Sequence, residues 1–171
     1  MTKARTLANF DPSASTGTAC SFFRRVSSDS VHQNISNGKT AINYGTEIFD
    51  TGSDTNSAGV FTAPVTGKYL FTVKTTFGNL RTTHTLIDYW LESYTGASMT
   101  QRVRGMTNTE RDFSANASDY HTLGFTTLMA LTAGDTVVSN LYLTGESGSL
   151  DIIGGSTNNL FTYFQGHLVE E

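Results

Sequence analysis

Asp88 and Glu92 are the residues whose types and spacing first suggest chemistry in this 171-residue chain. Paired carboxylic acids are what glycoside hydrolysis requires, one as an acid and the other as a base or nucleophile. Residues 85–93 are predicted to form a strand, in which every second side chain lies on the same face, so both carboxylates would flank Trp90. Such a row suits a solvated or interfacial face better than a hydrolase cleft. We therefore predict no catalytic residues.

Other arrangements that carry enzymatic chemistry are missing from the sequence. His32, His84, His121 and His167 are isolated, and none belongs to an H-x-H or H-E-x-x-H motif. Cys20 is the only cysteine, so neither an intrachain disulfide nor a two-cysteine metal site can form. The sequence contains no G-x-S-x-G motif and no dense run of Asp and Asn resembling a calcium loop. We expect a protein that is not an enzyme and uses no cofactor.

Aromatic side chains near the two carboxylates suggest recognition instead of catalysis. Tyr89, Trp90 and Tyr94 are the candidate contacts for a ligand or partner, because amphipathic aromatic rings stack on sugars and dominate protein hot spots. The alternative is that these three rings fill the protein core or an interface between subunits.

Composition indicates a β-rich protein with no general affinity for polyanions. Hydrophobic residues make up 37% and charged residues 15% of the chain, both low for a globular protein. The net charge of −4 gives no attraction to nucleic acid or anionic membranes. Arg102, Arg104 and Arg111 form a local basic group, but Glu110 and Asp112 lie beside it, which favours a solvated loop.

No segment has the ~20 apolar residues that span a bilayer, and the N-terminus has no apolar signal core. We therefore expect a protein made and assembled in a cytoplasm, without membrane insertion and without a nucleic-acid partner.

The elements that must position these residues are strands. After residue 17 the chain reads as about ten strands separated by turns rich in Gly and Asn, the spacing of a β-sandwich. Alternation is clearest after residue 67, where Tyr69 and Phe71 point to one face; with Phe61 and Phe164 they form the predicted core. The predicted strands cover residues 19–26, 46–50, 59–62, 67–77, 85–93, 98–105, 121–131, 136–142, 149–153 and 160–169.

Residues 1–17 are predicted to form an N-terminal arm and linker ahead of a head domain at 18–171. Leu7 and Phe10, three residues apart, favour a short amphipathic helix that ends at Pro12, although a disordered tail is the alternative. Leu7 and Phe10 are the candidate docking residues of this arm. The sequence of residues 3–9 is similar to a K-A-R-x-L-A-x segment found in many phage fibre and tail-associated proteins.

Three motifs in order resemble the globular head of complement C-one-q, a member of the tumour-necrosis-factor-like jelly rolls. Residues 59–71 resemble G-x-F-T-A-P-x-x-G-x-Y-x-F, residues 131–137 resemble L-x-x-G-D-x-V, and residues 160–168 resemble the closing F-x-x-F-x-G-x-L. The resemblance implies an all-β fold, a single jelly-roll sandwich that usually assembles as a bell-shaped homotrimer. Predicted strands at 123–131, 137–143 and 160–169 carry apolar groups on both faces, which favours burial of the second face against other protomers.

These features together predict a structural virion protein of a tailed bacteriophage. It would be a homotrimer held by its arm on capsid or tail proteins, as a capsid decoration, a cement protein or a short fibre. Assembly would take place in the host bacterial cytoplasm, and the head would lie on the virion surface. The alternative is a binding module of a phage tail fibre or bacterial adhesin, with a host-surface glycan or receptor as its partner.

Overall fold

The computed structural model describes residues 22–26, 33–81, 83–109, 120–145, 150–155 and 160–171. Leu7, Phe10, Cys20 and Arg111 lie outside these residues, as does the whole predicted arm. Within them the chain is all-β, and the described part contains no helix that is long and apolar enough to cross a membrane. The strands are β1 (Phe22–Val26), β2 (Gln33–Ile35), β3 (Gly38–Ala41), β4 (Thr46–Asp50), β5 (Phe61–Thr62), β6 (Gly67–Gly78), β7 (Leu86–Thr95), β8 (Ser98–Thr109), β9 (His121–Leu131), β10 (Thr136–Thr144), β11 (Leu150–Ile152) and β12 (Tyr163–Glu170).

The strands pair antiparallel in two sheets. In the seven-stranded sheet β6 is central: β9 pairs along one side of it, β12 pairs along the other side, and β11 pairs on that second side beyond the first residue of β12. Beyond β12 lie β1 and β4, and β2 pairs with β11. The five-stranded sheet has the order β3-β10-β7-β8, and β5 pairs with the far end of β10.

The hydrophobic core lies between the two sheets and is rich in aromatic rings. Phe61, Tyr69, Phe71 and Phe164 have no exposed surface. The ring of Phe61 lies 5.3 Å from those of both Tyr69 and Phe71, and the ring of Phe164 lies 5.7 Å from that of Phe71. Side chains of β6 alternate between this core and the outer face, as the sequence predicts.

The turns of the first two sequence motifs are joined by backbone hydrogen bonds. The Ala63 N–H donates to the Asp135 carbonyl, and the Gly134 N–H donates to the Ala63 carbonyl, each over 2.8 Å. The Asp135 carboxylate accepts from the Thr132 N–H (2.9 Å) and the Thr95 hydroxyl (2.6 Å). Gly134 has a φ of 89°, a left-handed conformation that favours glycine. The motifs therefore specify two turns that hold each other in place.

Several strand bounds differ from the prediction. β2 and β3 were not predicted, because they are short and polar and show no apolar alternation. The predicted strand at 59–62 shortens to Phe61–Thr62, since Gly59 has a φ of 78° and its N–H bonds to Asn56. The last strand begins at Tyr163, three residues after the predicted start.

The basic group at Arg102 and Arg104 does not lie in a solvated loop. Both arginines belong to β8, which continues to Thr109, four residues beyond its predicted end. The outer faces of the sheets are also less apolar than the sequence predicts. Among the outward residues of β9 only Leu128 is large and apolar, because Leu123, Met129 and Leu131 all face the core.

Candidate functional site

Asp88, Trp90 and Glu92 share one face of β7, as their spacing predicts, and this is the outer face of the five-stranded sheet. Their neighbours on the sheet bring further polar side chains to the same face, from β3, β8 and β10. We call this group the outer cluster. Its members are Lys39, Asp88, Trp90, Glu92, Tyr94, Arg102, Arg104, Asn140 and Tyr142.

Glu92 is the centre of the outer cluster and has no exposed surface. Its Oε2 accepts hydrogen bonds from Lys39 Nζ (2.5 Å), the Tyr94 hydroxyl (2.6 Å) and Asn140 Nδ2 (2.9 Å). Its Oε1 accepts from Arg102, from Nε over 2.8 Å and from Nη2 over 2.5 Å. A fully buried carboxylate is tolerated only when it is paired and hydrogen-bonded, and here both conditions hold.

These contacts keep Glu92 charged. Burial by itself raises the pKa of Glu92, but hydrogen bonds from Lys39, Tyr94 and Arg102 outweigh it and lower the pKa to about 2. Burial lowers the pKa of Lys39, yet the Glu92 and Tyr94 contacts exceed that effect and raise it. At neutral pH Glu92 is therefore an anion with both oxygens engaged, poorly suited to act as a general acid or a nucleophile.

Trp90 lies against the cations of the outer cluster. The Arg102 Cζ is 5.1 Å from the centroid of the indole ring, and Lys39 Nζ is 6.0 Å from it. Cations at these distances from an aromatic face are attracted by its quadrupole. The side chains around Trp90 leave only 4% of it exposed, so its ring is not an open stacking platform for a sugar.

The other two predicted contact residues have different positions. Tyr89 is fully buried on the core face of β7, and its hydroxyl bonds to those of Thr75 (2.8 Å) and Tyr44 (3.2 Å), which corrects its prediction as a surface contact. The hydroxyl of Tyr94 is engaged by Glu92. Tyr142, which the sequence analysis missed, is the aromatic residue that the outer cluster exposes, at 38%.

Beside Trp90 the outer cluster forms an open groove of about 470 Å³. Arg104 pairs with Asp88 across it, with Nε 3.3 Å from Oδ2. Sequence reasoning missed Lys39 in this site because it lies on the unpredicted strand β3, 53 residues from Glu92. The lining residues are Lys39, Leu86, Asp88, Trp90, Arg102, Arg104 and Tyr142.

Within the described residues no group of three or more His, Cys, Asp or Glu side chains is arranged to hold a metal ion. The Asp50 carboxylate at the end of β4 instead accepts hydrogen bonds from Asp54 N–H (3.0 Å), Thr55 N–H (2.8 Å) and the Thr55 hydroxyl (2.6 Å). These bonds outweigh the effect of burial and lower the pKa of Asp50. They hold the loop that follows β4.

A second surface lies on the outer face of the seven-stranded sheet. Leu70 on β6 is paired in register with Leu128 on β9 and with His167 on β12. In the next row the hydroxyls of Thr72 and Thr126 bond to each other over 2.9 Å. We call these five residues the central strip. None of them carries a carboxylate, a guanidinium or an ammonium group, and Leu128 is 51% exposed.

Comparison with known proteins adds evidence on the fold. No family model and no curated protein matches the sequence. The globular domain of zebrafish complement 1qA protein matches with a TM-score of 0.60 and 18% identity, over 88% of this chain and 98% of that one. Eiger TNF from S. frugiperda matches with a TM-score of 0.58 and 13% identity, over 89% and 94%. Murine APRIL matches with a TM-score of 0.58 and 12% identity, over 88% and 100%.

The fold is that of the complement and tumour-necrosis-factor jelly rolls. The predicted fold class is confirmed, and the similarity extends over most of the chain. At identities of 12% to 18% these structures establish the fold alone, because one sandwich fold serves many unrelated functions.

Proposed function

We propose that the protein is a structural component of a tailed-bacteriophage virion: a homotrimeric jelly roll that residues 1–17 attach to capsid or tail proteins. The similarity of residues 3–9 to phage fibre and tail-associated proteins supports the phage assignment. The jelly-roll fold suits this role, because a rigid sandwich recurs in viral shells and leaves its loops available for contacts.

The observation that carries the trimer is the central strip. Interface cores are depleted in charged residues, and this strip presents Leu70, Leu128, two threonines and a histidine in adjacent rows. Charged side chains flank it at both ends: Lys68 pairs with Glu170 over 2.7 Å at one end, and Lys74 follows at the other. The central strip therefore has the composition of a surface that a second copy covers.

A structural role without catalysis agrees with the state of the two carboxylates. Glu92 is used entirely to join β3, β7, β8 and β10, through contacts with Lys39, Arg102 and Asn140. Asp88 is engaged by Arg104. These groups stabilise one sheet, which fits a protein that serves as a rigid building block.

Deletion of residues 1–17 tests attachment through the arm. The truncated protein should remain a folded trimer, since the first described strand begins at Phe22. It should fail to bind particles that lack the protein, because docking would bury the apolar side chains of Leu7 and Phe10, which is worth roughly 3–6 kcal/mol per arm. Three arms acting together would add avidity.

Counting bound copies by electron microscopy measures this effect. The control is the Leu7→Ala, Phe10→Ala double variant of the full chain, which keeps the arm's length and should bind as poorly as the deletion. Full occupancy by the truncated protein would show that the sandwich itself docks. Absence of the protein from purified particles, by mass spectrometry, would refute the virion role.

A further inference from the structure

The groove of the outer cluster carries an excess of positive charge on a protein whose net charge is negative. Lys39, Arg102 and Arg104 contribute three cations, against the two carboxylates Asp88 and Glu92. Glu92 is fully buried beneath the groove, whereas all three cations reach the solvent. An anion that approaches this face therefore meets the cations first.

Both arginines retain donors that no described residue uses. A guanidinium has five N–H groups. Glu92 accepts from Nε and Nη2 of Arg102, and Asp88 lies 3.3 Å from Nε of Arg104, whose side chain is 58% exposed. Because Glu92 fixes Arg102 in place, little side-chain entropy would be lost when its outer edge binds a carboxylate.

The groove also offers an acceptor and an apolar surface. Asp88 lines it and presents a carboxylate, and the ring of Tyr142 is partly exposed beside it. A dianion such as phosphate would be repelled by Asp88 more strongly than a monoanion, and a neutral sugar would bring no charge to pair with the arginines. A sugar with a single carboxylate can use the arginines, Asp88 and Tyr142 together. Its carboxylate would pair with the arginines, its hydroxyls would donate to Asp88, and its C–H face would pack on the tyrosine ring.

We propose that this groove binds a carboxylate-bearing sugar residue of the uronic acid class. Its carboxylate lies between Arg102 and Arg104, a hydroxyl donates to Asp88, and the ring packs on Tyr142. A volume of about 470 Å³ falls in the range of small-molecule sites and accommodates one or two sugar units. The proposal concerns a single protomer and does not depend on trimer formation or on the arm.

The single tryptophan of the chain makes the test direct, because Trp90 lines the groove and its fluorescence reports on this site alone. The full-length protein is titrated with galacturonic acid and, as the matched neutral sugar, galactose; glucuronic acid and glucose form a second pair. We expect a saturable change with at least one acid, with a Kd of about 1 mM, and none with the neutral partners up to about 20 mM.

Two variants assign the response to the groove. Arg104→Gln replaces the charged guanidinium by a neutral amide that still has N–H donors, and Tyr142→Ser removes the ring; each should raise the Kd by about ten-fold or more. Lys68→Gln, which removes a partly exposed cation from the other sheet, is the control and should leave the Kd unchanged. Circular dichroism and an unchanged oligomeric mass establish that each variant is folded.

Three outcomes would overturn the proposal. The first is no saturable change with either acid, and the second is an equal response to an acid and its neutral partner. The third is a response only to inorganic phosphate or to a poly-glutamate peptide, which would assign the cations to a different ligand class. Attachment to particles should not change in the groove variants, so this result and the one from the arm deletion are separable.

Discussion

Glu92 illustrates at the scale of one residue how a buried charge organises a sheet. Its carboxylate receives hydrogen bonds from three other strands, through Lys39 on β3, Arg102 on β8 and Asn140 on β10. Removing one member of such a network leaves the others unpaired, which is why buried ion pairs are costly to break. The outer cluster therefore holds in place the side chains that form the groove.

The charge of Glu92 should make stability depend on pH. Its pKa falls from 4.5 in the unfolded chain to about 2 in the folded protein. The stabilisation is therefore present above pH 4.5 and is lost as the pH falls towards 2. The shift corresponds to about 2–3 kcal/mol once screening of the partly exposed cations is allowed for. Glu92→Gln should lose this amount at pH 7 and only about a quarter of it at pH 2.5, as measured by urea unfolding at fixed protein concentration.

Glu170→Gln is the control for this measurement. Glu170 pairs with Lys68 on the surface, where ion pairs contribute little, so the change should leave unfolding at pH 7 nearly the same. If the parent and the Glu92→Gln variant show the same pH profile between 2.5 and 7, the network does not hold Glu92 charged.

Sequence reasoning at the residue scale had a clear limit. Strand period alone placed Asp88, Trp90 and Glu92 on one face, because that property is local. It did not give their partners, since Lys39 and Asn140 are 53 and 48 residues away from Glu92. The same period, followed one step further, puts Tyr89 on the opposite face from Trp90. Tyr89 and Trp90 therefore cannot both be surface contacts on a regular strand.

At the scale of elements, Phe125 joins the two sheets at a bulge. Its ring on β9 packs against Tyr89 of the other sheet, with centroids 5.5 Å apart. It also covers Gly105 on β8. Gly105 is the extra residue of the bulge, because Met106 pairs with Tyr89 and Arg104 pairs with Trp90, which leaves Gly105 without a partner on β7. A Cβ at Gly105 would lie 1.7 Å from a Phe125 ring carbon, so only glycine fits. Glycine in a strand often marks such a bulge or close approach.

Gly105→Ala should therefore destabilise the protein by about 1–3 kcal/mol, the usual cost of overpacking. The cause can be isolated with a double-mutant cycle, in which Phe125→Leu removes the ring that the new methyl group meets. In the Phe125→Leu background the added alanine should cost less than about 1 kcal/mol, measured by urea unfolding. An equal cost in both backgrounds would mean that the backbone of β8, and not the ring, disfavours alanine.

The sequence predicts those strands that have turn residues at their ends and alternating apolar side chains. The turns at Ala63 and Gly134 lie in recognisable sequence motifs, and the backbones of the two turns form hydrogen bonds with each other. The bulge at Gly105 had no such signal, since nothing local indicates that a ring from β9 will cover it. β2 and β3 lacked an apolar pattern because pairing with β11 and β10, not burial of one face, defines them.

At the scale of the whole molecule, the two outer faces differ in kind. The face of the five-stranded sheet is charged, internally paired and grooved, whereas the central strip of the seven-stranded sheet is uncharged and carries Leu128 at its edge. Our two proposals assign different roles to these faces: the central strip contacts other copies, and the groove remains open to ligands. Folding of the protomer does not require either face to be covered, because the aromatic core lies between the sheets.

Leu128→Asp should therefore dissociate the trimer without unfolding the protomer. Three aspartates would introduce like charges into a desolvated surface, where an unpaired charge costs several kcal/mol. Light scattering should give a mass near three times 18.5 kDa for the parent and near 18.5 kDa for the variant at micromolar concentration. Met99→Asp changes an equally exposed apolar residue on the β7–β8 hairpin of the other sheet and should leave the mass of the parent unchanged. A monomeric parent protein would contradict the prediction of a trimer. A Leu128→Asp variant that stays trimeric would show that the trimer interface does not include the central strip.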